Sequence, residues 1–257
     1  MSNNQTLGSV TFETKCYEKD WRFLLREGLL QEMVEKCNFK FDEKVLMINN
    51  VNDYIKVSKA ADILIGKGVI DKFYIVKDYE KEVLDYFDLA KDDFKGGYYY
   101  SIAELTSIYL NSSDYLLHFS SDARVVTQND TVNWIERGLK LLAHDESVIT
   151  VNPAWNYKYD EAKYESFSED EDWFYSYGFS DQCYLIRLSD FKKHIYKEYH
   201  ADSEKYPAYG GELFEKRIYS YMKNKNLIRA TSKHVSYIHE NFPKNAFRRF
   251  IKLRFGR

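Results

Sequence analysis

The stretch Tyr115-Leu-Leu-His-Phe119 runs directly into Ser120-Ser-Asp-Ala-Arg124. A short apolar run bounded by polar turn formers predicts a strand buried on both faces. The same pattern recurs on either side. Val45-Leu-Met-Ile48 stops at Asn49-Asn-Val-Asn-Asp53, and Phe73-Tyr-Ile-Val76 and Val148-Ile-Thr-Val151 read alike. Val10 to Lys15 predicts a first strand with Val10 and Phe12 on one face. Helical spacing fills the intervals. Leu25, Leu29, Leu30, Met33, Val34 and Cys37 predict one helix over Trp21 to Cys37. Val57, Ala60, Ala61, Ile63 and Leu64 predict a second, ending near Gly66 or Gly68, and about Glu80 to Phe87 a third. Ser101-Ile-Ala-Glu104 reads as a capping box that opens a helix. Asp130 or Thr131 is expected to cap the next, with Val132, Ile135, Leu139 and Leu142 inward.

Strand–helix alternation predicts an α/β fold with a mostly parallel sheet flanked by helices. Ligands in such sheets bind beyond the carboxyl ends of the strands. The segments after Phe12, Ile48, Val76, Phe119 and Val151 are therefore the places to seek a site. The second half is less regular. The acidic 160–172 stretch reads as a mobile loop, Gln182 to Arg187 as a strand, and Glu212 to Lys223 as a helix. Val235 to His239 reads as a short strand or loop. With 3 Pro and 11 Gly there is no Pro- or Gly-rich linker. The expected layout is one domain over 1–243, with a nucleotide half near 9–125 and a smaller acceptor half near 126–243. A basic tail, 244–257, follows.

Composition narrows the function. The 257 residues carry 37 Lys+Arg against 40 Asp+Glu, a net charge of −3. That lacks the broad basic excess of a general nucleic-acid binder. No apolar run is long enough to span a bilayer, and the N-terminus lacks the pattern of a secretory signal. Cys16, Cys37 and Cys183 are odd in number, widely spaced and without CxxC, so they form neither a disulfide framework nor a zinc knuckle. A reduced, cytoplasmic protein is expected. The 23 Tyr and 17 Phe suit a carbohydrate cleft, but a compositional bias of the genome accounts for them as well.

Three features could carry chemistry. Asp122 ends the fourth strand, where a carboxylate can hold Mg²⁺ or Mn²⁺ against a diphosphate. Taken alone, an Asp there more often caps a turn. Tyr209-Gly-Gly-Glu212 opens a helix; the glycines let backbone approach a ligand. A Glu in a first helical turn is also favoured by the dipole alone. His239 can act as a metal ligand in its neutral form, although a lone His is more often a packed residue.

Their order and spacing, from Val10 to His239, resemble glycosyltransferases of the GT-A fold, most of all the inverting family 2. The resemblance implies a GT-A-type, Rossmann-like sheet. It implies that the segment after the first strand, with Thr14, Lys15 and Tyr17, holds the nucleotide. Asn49, Asn50 and Asp53 would lie near the base, and Tyr100 in the nucleotide-side loop, Gly96 to Ser101, that leads into the helix before the fourth strand. Ser120, Ser121 and Asp122 occupy the DxD position, with Ser120 replacing the first Asp. Asp122 and His239 would bind the metal, Mn²⁺ or Mg²⁺. Gly211-Glu212 matches the xED motif, which makes Glu212 the catalytic base of a single, inverting displacement. The implied donor is a nucleotide-sugar, expected to be UDP-linked. The implied acceptor is a glycan or lipid-linked sugar in cell-surface polysaccharide synthesis.

The last ten residues, Arg248 to Arg257, carry four Arg and one Lys interleaved with Phe250, Ile251, Leu253 and Phe255. That pattern fits peripheral docking on the inner face of the plasma membrane, or equally a solvated basic terminus. Two rival functions remain. One is a non-catalytic carbohydrate-binding module with a degraded metal site. The other is a sugar-phosphate nucleotidyltransferase, disfavoured because Glu13 to Asp20 contains no glycine.

Overall fold

The computed structural model describes residues 8–26, 28–126, 133–205 and 213–239. The first strand, β1 (Val10–Cys16), is buried along its whole length. Its alternate residues Val10, Phe12 and Cys16 enter one hydrophobic layer. Its neighbour β2 (Glu43–Ile48) sends Leu46 and Ile48 into that layer and Val45 and Met47 into the opposite one. Both faces are covered, which is why the run is continuously apolar. Then come β3 (Lys72–Ile75), β4 (Tyr115–Phe119) and β5 (Ala123–Val126). The chain continues through β6 (Val148–Trp155), β7 (Ser168–Glu169), β8 (Trp173–Ser176), β9 (Cys183–Arg187) and β10 (Ile228–His239).

All belong to one ten-stranded sheet, ordered β3-β2-β1-β4-β9-β6-β10-β8-β7, with β5 paired to β10. The parallel ladders β3/β2, β2/β1 and β1/β4 fix one direction. Through antiparallel β9, strands β6 and β10 share it, and β7 does so through β8. Strands β5, β8 and β9 run the other way, so the sheet is mostly parallel, as expected. Because β9 opposes β4, its first residue, Cys183, lies beside the last residue of β4, Phe119. The segment before β9 thus joins the edge where β1, β4 and β10 end.

On one face lie α1 (Trp21–Arg26), α2 (Leu29–Glu35), α3 (Tyr54–Gly66) and α6 (Trp134–His144). On the other lie α4 (Glu80–Tyr86), α5 (Tyr98–Leu110), α8 (Leu188–Phe191) and α9 (Phe214–Lys225). The short α7 is Tyr159–Glu165.

Four expectations are corrected. The helix over Trp21 to Cys37 is two, because Gly28 sits at φ 75° in the left-handed region. Ser101 and Glu104 do not form a capping box. The α5 helix starts earlier, at Tyr98, and the Ser101 hydroxyl donates to the Gly97 carbonyl (2.9 Å) while accepting from the Phe214 N–H (2.9 Å). The 160–172 stretch is not a loop throughout: it holds part of α7 and all of β7. Several of its acids are tied down, Asp170 by the Tyr175 hydroxyl (2.6 Å) and Asp172 by His234 (2.9 Å) among them. Val235 to His239 ends a 12-residue strand rather than standing alone. Asp130 and Thr131 lie outside the described residues. The α6 helix is capped by Asn133, whose side-chain oxygen accepts from the Ile135 and Glu136 amides (3.0 and 3.3 Å).

Candidate functional site

A cleft of about 470 Å³ opens at the edge where the strands end. Lys15, Tyr17, Asp20, Tyr100, Ser120, Ser121, Asp122, Asp181, Gln182, Leu213, Glu215 and His239 line it. Register explains the convergence. Thr14 pairs with Phe119, so the turns after β1 and β4 emerge together. His239 pairs with Ala123, which sets the imidazole beside Asp122. The separation from His239 Nε2 to Asp122 Oδ1 is 3.1 Å, and the Ser120 hydroxyl donates to the same oxygen at 3.3 Å. Burial by itself would lower the His239 pKa; the Asp122 carboxylate outweighs it and holds the pKa above the ordinary value.

Asp20 accepts from the Ser121 hydroxyl (2.6 Å) and the Tyr17 amide (2.6 Å). Burial nevertheless pushes its pKa up to about 6, with the nearby Asp122 charge adding to the rise. Lys15 is buried and ion-paired with Glu104 of α5. Desolvation lowers its pKa, against the pull of Asp181, Glu13, Asp20 and Asp122. Beneath it, Glu13 and His118 are paired in register and 2.5 Å apart, and His118 stacks on Tyr184.

Tyrosines form one rim. Tyr17 stacks on Tyr99 (5.8 Å, 21°) and meets Tyr100 edge-on (6.3 Å). Tyr99 and Tyr100 remain 44% and 48% exposed, so flat aromatic surface is free for a planar ligand. Asn49 and Asn50 support this rim rather than line the cleft. Their side-chain amides donate to the Tyr99 carbonyl at 3.3 and 2.9 Å. Asp53 is also outside the lining; it caps α3 by accepting from the Lys56 amide (2.9 Å). Thr14 is buried on the other side of β1, and its hydroxyl donates to the Phe119 carbonyl (2.7 Å). Glu212 lies outside the described residues.

Sequence reading missed Asp20, Asp181, Gln182, Leu213 and Glu215. Asp181 and Gln182 were hidden because nothing local says that β9 inserts antiparallel beside β4. Glu215 carried a signal: a carboxyl in the first turn of a helix that follows Gly-Gly. It lines the cleft and also a second cavity of about 390 Å³, whose walls include Trp155, Tyr177, Phe179, Arg229 and Tyr237. Desolvation raises its pKa to about 8. The Asp181 charge adds to the rise, and the Asp181 amide and Lys15 oppose it.

Even with Glu215 held mostly protonated near neutral pH, Asp20, Asp122 and Asp181 outnumber the cationic groups of the lining, Lys15 and His239. An anionic ligand would meet repulsion there unless a cation accompanied it. The donor chemistry fits such an ion in part. Among the described residues no group of three or more His, Cys, Asp or Glu converges as a metal cage. Asp122 and His239 supply two donors, and ligand oxygens and water would complete the shell. A carboxylate with an imidazole suits Mn²⁺ better than Mg²⁺, which favours oxygen.

No protein-family model matches the chain, and no curated protein matches it. Solved structures do. GalNAc-T7, solved with UDP, GalNAc and Mn²⁺, is 10% identical, with a TM-score of 0.53 over 92% of this chain and 44% of that one. The chain thus spans less than half of that protein. Glucosyl-3-phosphoglycerate synthase from Mycobacterium tuberculosis, solved with Mg²⁺ and UDP, is 14% identical, with a TM-score of 0.50 over 92% and 73% of the two chains. A mycobacterial protein is 11% identical, with a TM-score of 0.51 over 96% and 70%. Sheet order, strand directions and these likenesses together show that the chain has the GT-A glycosyltransferase fold.

Proposed function

We propose that the protein is a glycosyltransferase that moves a sugar from a nucleotide-sugar, UDP-linked, to an acceptor hydroxyl. The observation that carries this reading is the convergence of Lys15, Tyr17, Tyr100, Ser120, Ser121, Asp122 and His239 in one cleft at the strand ends of a GT-A fold. Two neighbours of that fold were solved with UDP and a divalent cation. The Tyr17–Tyr99–Tyr100 rim offers a stacking surface for the base. Asp122 and His239 would hold Mn²⁺, or less readily Mg²⁺. When bound, that ion neutralises charge on the departing diphosphate. Lys15 adds positive charge beneath the same point.

The second cavity, walled by aromatic faces, suits an acceptor glycan. Glu215 stands between the two spaces. A carboxyl held near neutral pKa can take the proton of an attacking hydroxyl, and a base is worth roughly a hundred- to ten-thousandfold in rate. The xED resemblance assigns that role to Glu212 instead. Direct proton removal from the acceptor accords with inversion. A lipid-linked acceptor, cell-surface polysaccharide synthesis and a cytoplasmic site on the inner membrane face belong to this proposal. No described helix is long and apolar enough to cross a membrane.

The test is transfer and UDP release from a panel of UDP-sugars with Mn²⁺, in the wild type, Glu212→Gln and Glu215→Gln. The base variant should retain UDP binding and lose transfer by at least a hundredfold. If both variants transfer at the wild-type rate, neither carboxylate is the base. The Ser120 substitution and the two-donor metal site favour one rival, a non-catalytic carbohydrate-binding module. That rival predicts glycan binding with no nucleotide-sugar turnover.

A further inference from the structure

A groove of about 330 Å³ lies between α1 and α3, away from the cleft lining. Its walls are Leu25, Arg26, Lys56, Lys59, Ala60, Ile63 and Lys67. Four of these seven residues are cationic and none is acidic. Along α3 and its C-cap Lys67, positions 56, 59, 63 and 67 follow i, i+3, i+7, i+11 spacing, so they share one stripe. Among the described residues none of the four cations is ion-paired with a carboxylate; Arg26 lies over the Trp21 ring at 5.1 Å. The carboxylates nearest them do not line the groove. Asp53 is engaged in capping at Lys56, and Asp62 is not in the lining.

Apolar side chains stand exposed beside this charge. Ile63, in the groove wall, is 59% exposed, and Ile55, one residue before Lys56, is 72% exposed. Among the described residues no element covers either, and α3 packs through Val57, Ala61 and Leu64, with Ala60 at the groove's inner edge. A solvated helix needs the lysines but has no use for two bare isoleucines among them. Cations with projecting aliphatic side chains match an anionic lipid interface, where headgroup charge attracts the former and the acyl boundary takes the latter.

We propose that the α1–α3 groove is a docking surface for an anionic lipid bilayer. The basic tail, 244–257, lies outside the described residues and takes no part in the argument. The proposal also stands independently of the transferase reading, since nothing in the cleft enters the argument. The α3 helix begins at the polar turn after β2, on the same sheet edge as the cleft. Docking through α3 therefore brings that edge near the membrane.

The test is co-sedimentation of the full chain with vesicles of phosphatidylglycerol and phosphatidylcholine, against phosphatidylcholine alone. Each cation near an anionic surface contributes about fivefold in partitioning. The triple variant Lys56→Gln, Lys59→Gln, Lys67→Gln should therefore bind anionic vesicles roughly a hundredfold more weakly. All three changes are at exposed positions, so folding should be retained. A second probe separates this surface from the tail. The native cysteines are all buried, so Ile63→Cys can be labelled selectively with a polarity-sensitive fluorophore. A blue shift with anionic vesicles, absent with phosphatidylcholine, supports the proposal. Unchanged sedimentation of the triple variant, or a label that stays water-exposed while the protein binds vesicles, overturns it. Binding only to a soluble polyanion or to an acidic protein overturns it too.

Discussion

Glu215→Gln should change the pH dependence of stability in a way that isolates one buried carboxyl. The pKa of Glu215 is raised from an ordinary 4.5 to about 8 by burial beside Asp181. A raised folded-state pKa means that the folded protein holds this proton more tightly than the unfolded chain. The associated stability is fully present below about pH 4.5 and is lost as pH rises through about 8. A gap of this size corresponds to roughly 5 kcal/mol at most, at 1.36 kcal/mol per pKa unit. Relaxation and water entry around the ionised group reduce it to a few kcal/mol. Glutamine has the same shape, its oxygen can still accept from the Asp181 amide, and it cannot ionise. Urea unfolding of both proteins at pH 5, 7 and 9 reads the difference. Every other titrating group, Asp20 included, is shared and cancels to first order. Glu215→Gln should be near neutral or slightly destabilising at pH 5 and more stable than the wild type by a few kcal/mol at pH 9. Parallel stability–pH curves would refute the burial argument, and with it the case for Glu215 as a base tuned to neutral pH.

Two further substitutions test how the fold positions the site. Gly138 of α6 packs directly on the sheet: a Cβ there would lie 3.0 Å from both Leu185 Cδ2 and Val151 Cγ1. Gly138→Ala should cost about 1–3 kcal/mol by overpacking, despite the better helix propensity of Ala, and a fall in the urea midpoint would show it. Thr14→Val removes the buried hydroxyl that donates to the Phe119 carbonyl. It should cost about 1–2 kcal/mol and loosen the start of the Ser120–Asp122 turn, read as faster amide exchange at Ser120 and Ser121.

Elements whose burial is local were legible in the sequence. Val45 to Ile48 and Tyr115 to Phe119 are covered on both faces, so their apolar runs mark them. Elements set by distant contacts were not. The apolar spacing over Trp21 to Cys37 continues across the bend at Gly28, because α1 and α2 pack on the same layer. Ser101 and Glu104 have capping-box chemistry, but tertiary partners, the Phe214 amide and Lys15, claim both side chains. The four residues of β5 carry no pattern of their own; they are a strand because β10 pairs with them. The site divides the same way. Lys15, Tyr17, Tyr100, Ser120, Ser121, Asp122 and His239 sit at ends of elements the sequence marks, and they line the cleft. Thr14 lies inside β1, and Asn49, Asn50 and Asp53 follow β2, yet each is drawn into a hydrogen bond away from the cleft. Glu13, Lys15 and His118 were visible as polar residues inside strands, but only the sheet shows that they form a buried layer under the cleft.

Calorimetric titration of UDP into the protein, with and without Mn²⁺, tests the central claim most directly. The account predicts binding that strengthens at least tenfold with Mn²⁺ and loses that gain in Asp122→Ala, with the variant still folded. Absence of binding by UDP and by other nucleoside diphosphates, with or without metal, would contradict it, as would binding whose metal dependence survives the loss of Asp122.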